Sequence, residues 1–138
     1  MHWIGITPKP EEYLGFVYII TNNITGQRYI GKKNYHTVRT DTRVAARKLK
    51  RPRKRKQESN WASYTSSSEH VNDDIKEYGK DNFTFEILWQ AKTKGGLSYV
   101  EANIQHKLDV LTAQLEDGSR AFYNNQIAAT KYIPKEFM

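Results

Sequence analysis

The sequence predicts a single α+β domain, and three observations carry that reading. Two β-type strings, Phe16-Val17-Tyr18-Ile19-Ile20 and Arg28-Tyr29-Ile30-Gly31-Lys32-Lys33, are joined by Asn22-Asn23-Ile24-Thr25-Gly26-Gln27. Asn and Gly accept positive φ cheaply, so that joint is a hairpin turn. A third string, residues 83–89, alternates well enough to be a half-buried strand. Gly95-Gly96 then opens the longest helix, whose apolar positions Leu97, Val100, Ile104, Leu108, Leu111 and Leu115 recur at steps of three or four. With 138 residues there is chain for one modest core and no second one.

The elements follow in order. Residues 1–14, with Pro8 and Pro10, read as an irregular lead-in. Strands are expected over 15–21 and 28–33. A helix should begin between Tyr35 and Thr37 and run through Val38, Arg39, Val44, Ala45, Ala46 and Leu49, with Pro52 barring its extension. The polar segment Asn60-Trp61-Ala62-Ser63-Tyr64-Thr65-Ser66-Ser67-Ser68 holds two large aromatics, which can stack on exposed bases or tie the loop to the core. A helix over 69–78 has a serine cap, acids in its first turns and Gly79 as its stop. Asp81-Asn82 turns the chain into the third strand. Residues 15–127 form the domain, with a basic insert at about 43–60, and 128–138 form a tail. No internal repeat is visible.

Facing in a hairpin depends only on parity, so an even loop puts Tyr18 and Tyr29 on one face of the sheet. Two phenols followed at once by Lys32 and Lys33 suit an anion better than a core. Charge points the same way. Of the net +7, the whole excess lies between Arg43 and Lys56: Arg43, Arg47, Lys48, Lys50, Arg51, Arg53, Lys54, Arg55 and Lys56, with no acid among them. Such density is neutralised most cheaply by a polyphosphate, with release of condensed counterions. A solvated loop or a nuclear address signal is the plainer reading of the same run.

Several classes are excluded. Without cysteine there is no disulfide framework, thiolate zinc site or thiol nucleophile. The apolar runs are far too short for a membrane span or secretory signal, so a soluble cytoplasmic protein is expected. His2, His70 and His106 sit in unrelated contexts, and Gly95-Gly96 lacks the residues of a phosphate cradle. Glu101 borders the apolar stripe of the long helix, with Gln105 one turn on. It reads as an ordinary boundary glutamate or as an oxygen ligand for a hard divalent ion, which takes only one or two protein carboxylates.

Tyr18 and Tyr29-Ile30-Gly31 on a hairpin, a basic helix, a glutamate in a later amphipathic helix and an asparagine near the end together resemble the GIY-YIG endonuclease family. The resemblance spans roughly residues 14–127. The wording Trp61, Tyr64, Ser67-Ser68 and Tyr78-Gly79-Lys80-Asp81-Asn82-Phe83 is similar to phage-encoded members related to homing endonucleases, which implies a host-cell cytoplasmic location. The family implies three antiparallel strands flanked by helices, and metal-dependent DNA cleavage. By position, Tyr18 and Tyr29 match its tyrosines, and Arg39 matches its arginine on the first helix. Glu101 matches the metal-binding glutamate, Asn124 or Asn125 the terminal asparagine, and His36 the histidine found in some members. The first motif reads Phe-Val-Tyr instead of Gly-Ile-Tyr, which keeps the phenol. The basic insert leaves Arg43 or Arg47 as alternatives for the arginine, and Lys33 as a further source of positive charge.

The chemistry expected is hydrolysis of a phosphodiester with Mg²⁺ or Mn²⁺ on Glu101. A cation at Arg39 would grip a non-bridging oxygen, and Tyr18 or Tyr29 would activate water. A phenol with pKa near 10 is a poor base, so its neighbours must favour the ionised form. The basic segment and Lys32 would hold DNA backbone, which gives binding and not sequence readout. Targeting would then fall to another protein, and cutting both strands would need a second copy or two successive nicks. The alternatives are a basic nucleic-acid-binding protein without catalysis, and an arm that docks an acidic protein.

Overall fold

A computed structural model describes residues 1–40 and 54–127 of the chain. In chain order the strands are β1 (Trp3–Gly5), β2 (Gly15–Asn22), β3 (Arg28–Asn34), β4 (His36–Thr40), β5 (Lys54–Glu58) and β6 (Phe83–Ala91). The helices are α1 (Glu69–Tyr78) and α2 (Lys94–Lys107). Four strands form the main sheet in the order β1-β6-β2-β3, and β4 and β5 pair only with each other. The α+β class stands, with two corrections to the sheet. It has four strands instead of three, and it is mixed, because β1 runs parallel to β6. A three-residue strand carries no periodicity to read, which is why residues 1–14 look irregular in sequence.

Two apolar layers sandwich the sheet. On one face Trp3, Phe16, Tyr18, Ile20, Phe85 and Ile87 pack with Val71 of α1. On the other, Val17, Ile19, Ile30 and Ala91 pack with Leu97 of α2. Strict alternation along β2 explains the split, since successive side chains leave opposite faces. Thr21 pairs with Arg28, so residues 22–27 close the hairpin as an even loop. Asn22 Oδ1 accepts from the backbone N–H groups of Ile24 and Thr25, at 2.9 and 3.2 Å, and Gly26 supplies φ +84°.

The expected helix over 35–49 is not found where it can be seen. Residues 36–40 form β4, antiparallel to β5, with Arg39 opposite Arg55. The β-branched Thr37, Val38 and Thr40 favour extended backbone. The helical signal came from Val44, Ala45, Ala46 and Leu49, which lie outside the described residues, as does the tail 128–138.

The long helix also ends sooner than its stripe. It stops at Lys107, Asp109 turns the chain at φ +50°, and Val110 enters the core instead. Leu108 and Leu111 are exposed, Leu111 at 43%. The steps beyond Ile104 are therefore coincidence. Elsewhere the reading holds: the Ser68 hydroxyl accepts from Val71 N–H at 3.3 Å, and Gly79 ends α1 at φ +89°.

Gly31 sits directly opposite Tyr18 in the register. A Cβ there would lie 2.6 Å from the phenol carbon Cζ of Tyr18. The ring lies flat on the space a side chain would fill. Gly31→Ala is expected to lower stability by about 1–3 kcal/mol, the usual cost of overpacking, as read by urea denaturation.

Candidate active site at the edge of the sheet

Parity does what the sequence indicates: Tyr18 and Tyr29 share a face, with ring centroids 6.2 Å apart. Tyr18 is buried (1% exposed), stacked on Trp3 at 5.3 Å. A register shift between β2 and β6 falls between Val17 and Tyr18, a bulge of the kind that re-aims a side chain beside a site. Tyr29, half-buried, opens into a cavity of about 330 Å³ lined also by Ser67, Ser68, Tyr123 and Asn125.

Glu101 reaches the pair from the other side. Helix α2 packs on the face opposite the tyrosines, yet the Glu101 carboxylate raises the pKa of both phenols and feels Lys32. It can meet groups of both faces only at the edge, along β3. Burial pushes Tyr18 well above its ordinary value, with Tyr29, Tyr64 and Glu101 adding to it. Burial also raises Tyr29, against a lowering hydrogen bond from Ser67. Glu101 itself is raised by burial, with Lys32 pulling it back. It is 8% exposed, and among the described residues its carboxylate has no hydrogen bond and no ion pair. Lys32 is its nearby countercharge without forming an ion pair, so the carboxylate keeps its oxygens free for a ligand.

Other expected residues fall in varied places. Lys32 Nζ donates to Ser98 Oγ at 2.7 Å and serves Glu101 as a nearby countercharge. Lys33 Nζ sits 4.2 Å above the centroid of the Tyr64 ring, and burial lowers its pKa. His36 Nε2 lies 2.9 Å from the Pro10 carbonyl oxygen, fastening the lead-in. Arg39 lies on β4 and not on a helix, while Lys54, Arg55 and Lys56 lie on β5. Arg43, Arg47, Lys48, Lys50, Arg51 and Arg53 are outside the described residues.

Asn124 is not offered to a ligand. It is buried, its Oδ1 accepts from Ile30 N–H at 3.0 Å, and its Nδ2 donates to the Ile30 carbonyl at 2.8 Å. The amide thus satisfies the outer edge of β3 as a strand would. Gln105 Nε2 donates to the same carbonyl at 3.1 Å, and its buried Oε1 has no partner.

Sequence reasoning missed one contributor, His2. His2 Nε2 sits 2.9 Å from the Tyr64 carbonyl oxygen, and burial and then Lys80 lower that imidazole to about 4. Tyr64 packs 6.1 Å from Tyr18 as a third phenol, whereas Trp61 is core, against Tyr35 and Phe16. His2 lies in no motif, and of the two readings open for Trp61 and Tyr64 the packing supports the one in which they tie the loop to the core.

A tyrosine-bearing hairpin, with the second tyrosine followed by Ile-Gly and a carboxylate brought to its edge strand by a later helix, defines a GIY-YIG-type domain. A family model for the segE endonuclease GIY-YIG domain matches residues 5–127. The chain belongs to that GIY-YIG endonuclease family. No curated protein and no solved structure matches it. Among the described residues no helix is long and apolar enough to cross a membrane.

Asn124→Ala leaves the buried N–H of Ile30 without its partner and the Ile30 carbonyl with Gln105 Nε2 alone. It is expected to cost about 2–3 kcal/mol in chemical denaturation. Asn124→Asp should fail as well, because a carboxylate cannot donate to the carbonyl.

Proposed function

We propose that the protein is a divalent-metal-dependent DNA endonuclease in which Tyr29 activates the attacking water and Glu101 holds the metal. The observation that carries this is the buried Glu101 carboxylate, without hydrogen bond or ion pair among the described residues, acting on both phenols at one sheet edge.

The donor set suits Mg²⁺ or Mn²⁺. No cluster of three or more His, Cys, Asp or Glu exists among the described residues, which argues against a site built wholly from protein ligands. Mg²⁺ takes one or two carboxylates and fills its other positions with water and phosphate. When bound, the ion supplies Lewis acidity at the scissile phosphate and offsets charge on the leaving 3′ oxygen.

The chain's own residues do the rest. Tyr29 is the phenol that faces the cavity, so it is assigned the water, and buried Tyr18 positions it. The ionised Tyr29 oxygen takes a proton as the water oxygen bonds to phosphorus. The P–O3′ bond breaks, and the 3′ oxygen leaves to be protonated as a hydroxyl. Glu101 in its bare state raises the tyrosine pKa values, so neutralising it favours the ionised base. Arg39, from β4, is assigned a grip on a non-bridging oxygen, with Lys33 beside Tyr64 adding positive field. The basic residues of 43–56 hold DNA backbone, and their number implies binding that weakens steeply with salt.

Plasmid nicking at low salt tests this. Wild-type protein with Mg²⁺ is expected to nick supercoiled DNA, and EDTA to stop it. Glu101→Ala should cut roughly 100-fold more slowly while binding DNA as before. Tyr29→Phe should lose about 10²–10⁴-fold. Cutting that survives EDTA, or Glu101→Ala at wild-type rate, would reject the proposal.

A further inference from the structure

The ribbon of β4 and β5 stands apart from the main sheet, its strands pairing only with each other, and both strands are fastened at the root. Tyr35, buried between β3 and β4, donates its hydroxyl to Gln90 Oε1 at 2.6 Å. Just past β5, Ser59 N–H donates to the Tyr35 carbonyl at 2.8 Å and Ser59 Oγ to the Asn34 carbonyl at 2.6 Å. The register divides the ribbon into two rows, since successive residues of a strand leave opposite faces. One row begins with His36 opposite Glu58, and both turn back to the domain. His36 Nε2 lies 2.9 Å from the Pro10 carbonyl oxygen, and Glu58 Oε1 accepts from Trp61 Nε1–H at 2.9 Å. The other row begins with Thr37 opposite Gln57, both exposed, and the register continues it with Arg39 opposite Arg55. Among the paired residues no acid stands in that row, and like charges opposed across a pair cost stability until an anion joins them.

We propose that this outer row enters the major groove of duplex DNA and reads base edges there, with Gln57 as the principal reader. Such a role rests on the reading of the protein as a DNA endonuclease, and it supplies the choice of sequence that backbone contact lacks. A two-stranded ribbon fits the major groove, which is about 12 Å wide. The residue types match its edges: a glutamine amide pairs with adenine N6 and N7, and a guanidinium with guanine O6 and N7. Lys54 and Lys56, opposite Thr40 and Val38, take the other row in the register. An ammonium is a compact point charge, suited to a flanking phosphate. The ribbon is also close to the cut. An extended chain from Tyr29 to Thr37 spans at most about 26 Å, less than the ~34 Å of one duplex turn.

Binding by the full chain in EDTA tests this apart from cleavage. Random duplexes selected on wild-type protein should converge on a preferred site that includes adenine. Replacing that adenine by 7-deazaadenine, which changes only the major-groove N7 acceptor, should weaken wild-type binding about fivefold, the worth of one hydrogen bond. Gln57→Ala should lower discrimination for the site about tenfold and make that position indifferent to the 7-deaza change. Lys56→Ala should instead weaken all duplexes alike and reduce the slope of log affinity against log salt by about one. Selection without a preferred site would overturn the proposal. Wild-type binding indifferent to 7-deazaadenine, or Gln57→Ala weakening every duplex alike, would do the same. If the site is selected and read as described but Mg²⁺ yields no nicking, the ribbon is the reader and the nuclease reading is the one that fails.

Discussion

The antiparallel register of β2 and β3 is the constraint from which the site follows. Tyr18 facing Gly31, and Ile20 facing Tyr29, put both phenols on one face and lay the Tyr18 ring over a residue without a side chain. Were the register to slip by one residue, every side chain of β3 would change face and the pair would separate. The register is pinned from several sides. Asn22 shapes the turn, Ile19 and Ile30 pair across the opposite face, and Asn124 closes the free edge at Ile30. The C-terminal segment thus behaves as part of the sheet, with Arg28 N–H donating to the Ala121 carbonyl at 2.9 Å and Tyr123 N–H to the Arg28 carbonyl at 2.8 Å.

Because β3 is an edge strand, groups from both faces can meet beside it. Tyr18 and Tyr29 come from the α1 face and Glu101 from the α2 face. The carboxylate raises the cost of ionising both phenols, and burial raises it further for all three groups. In the proposed mechanism, one positive charge at Glu101 would relieve all three groups together. That coupling would tie metal binding to activation of the base, with no change of shape required.

Legibility of the sequence followed the strength of local signals. The hairpin, the tyrosine parity, β6, and the cap and stop of α1 were readable because turn chemistry and alternation are short-range. The fold class followed from them. Strand β1 was not readable, since three residues joining a strand 80 positions away leave no local trace. Residues 36–40 were misread because the helical pattern of Val44, Ala45, Ala46 and Leu49 outweighed β-branched Thr37, Val38 and Thr40. In the site, Tyr18, Tyr29 and Glu101 were visible as a pattern. The roles of Asn124 and His2 were not, because each depends on a contact between segments some 60 to 90 residues apart.

The measurement closest to the central claim is the ionisation of the tyrosine pair, followed by phenolate absorbance, with and without saturating Mg²⁺. In wild-type protein the ion should move the midpoint to lower pH, and Glu101→Ala should abolish that response. A midpoint indifferent to Mg²⁺, or one that still responds without the Glu101 carboxylate, would contradict a single electrostatic site joining the glutamate to the tyrosines.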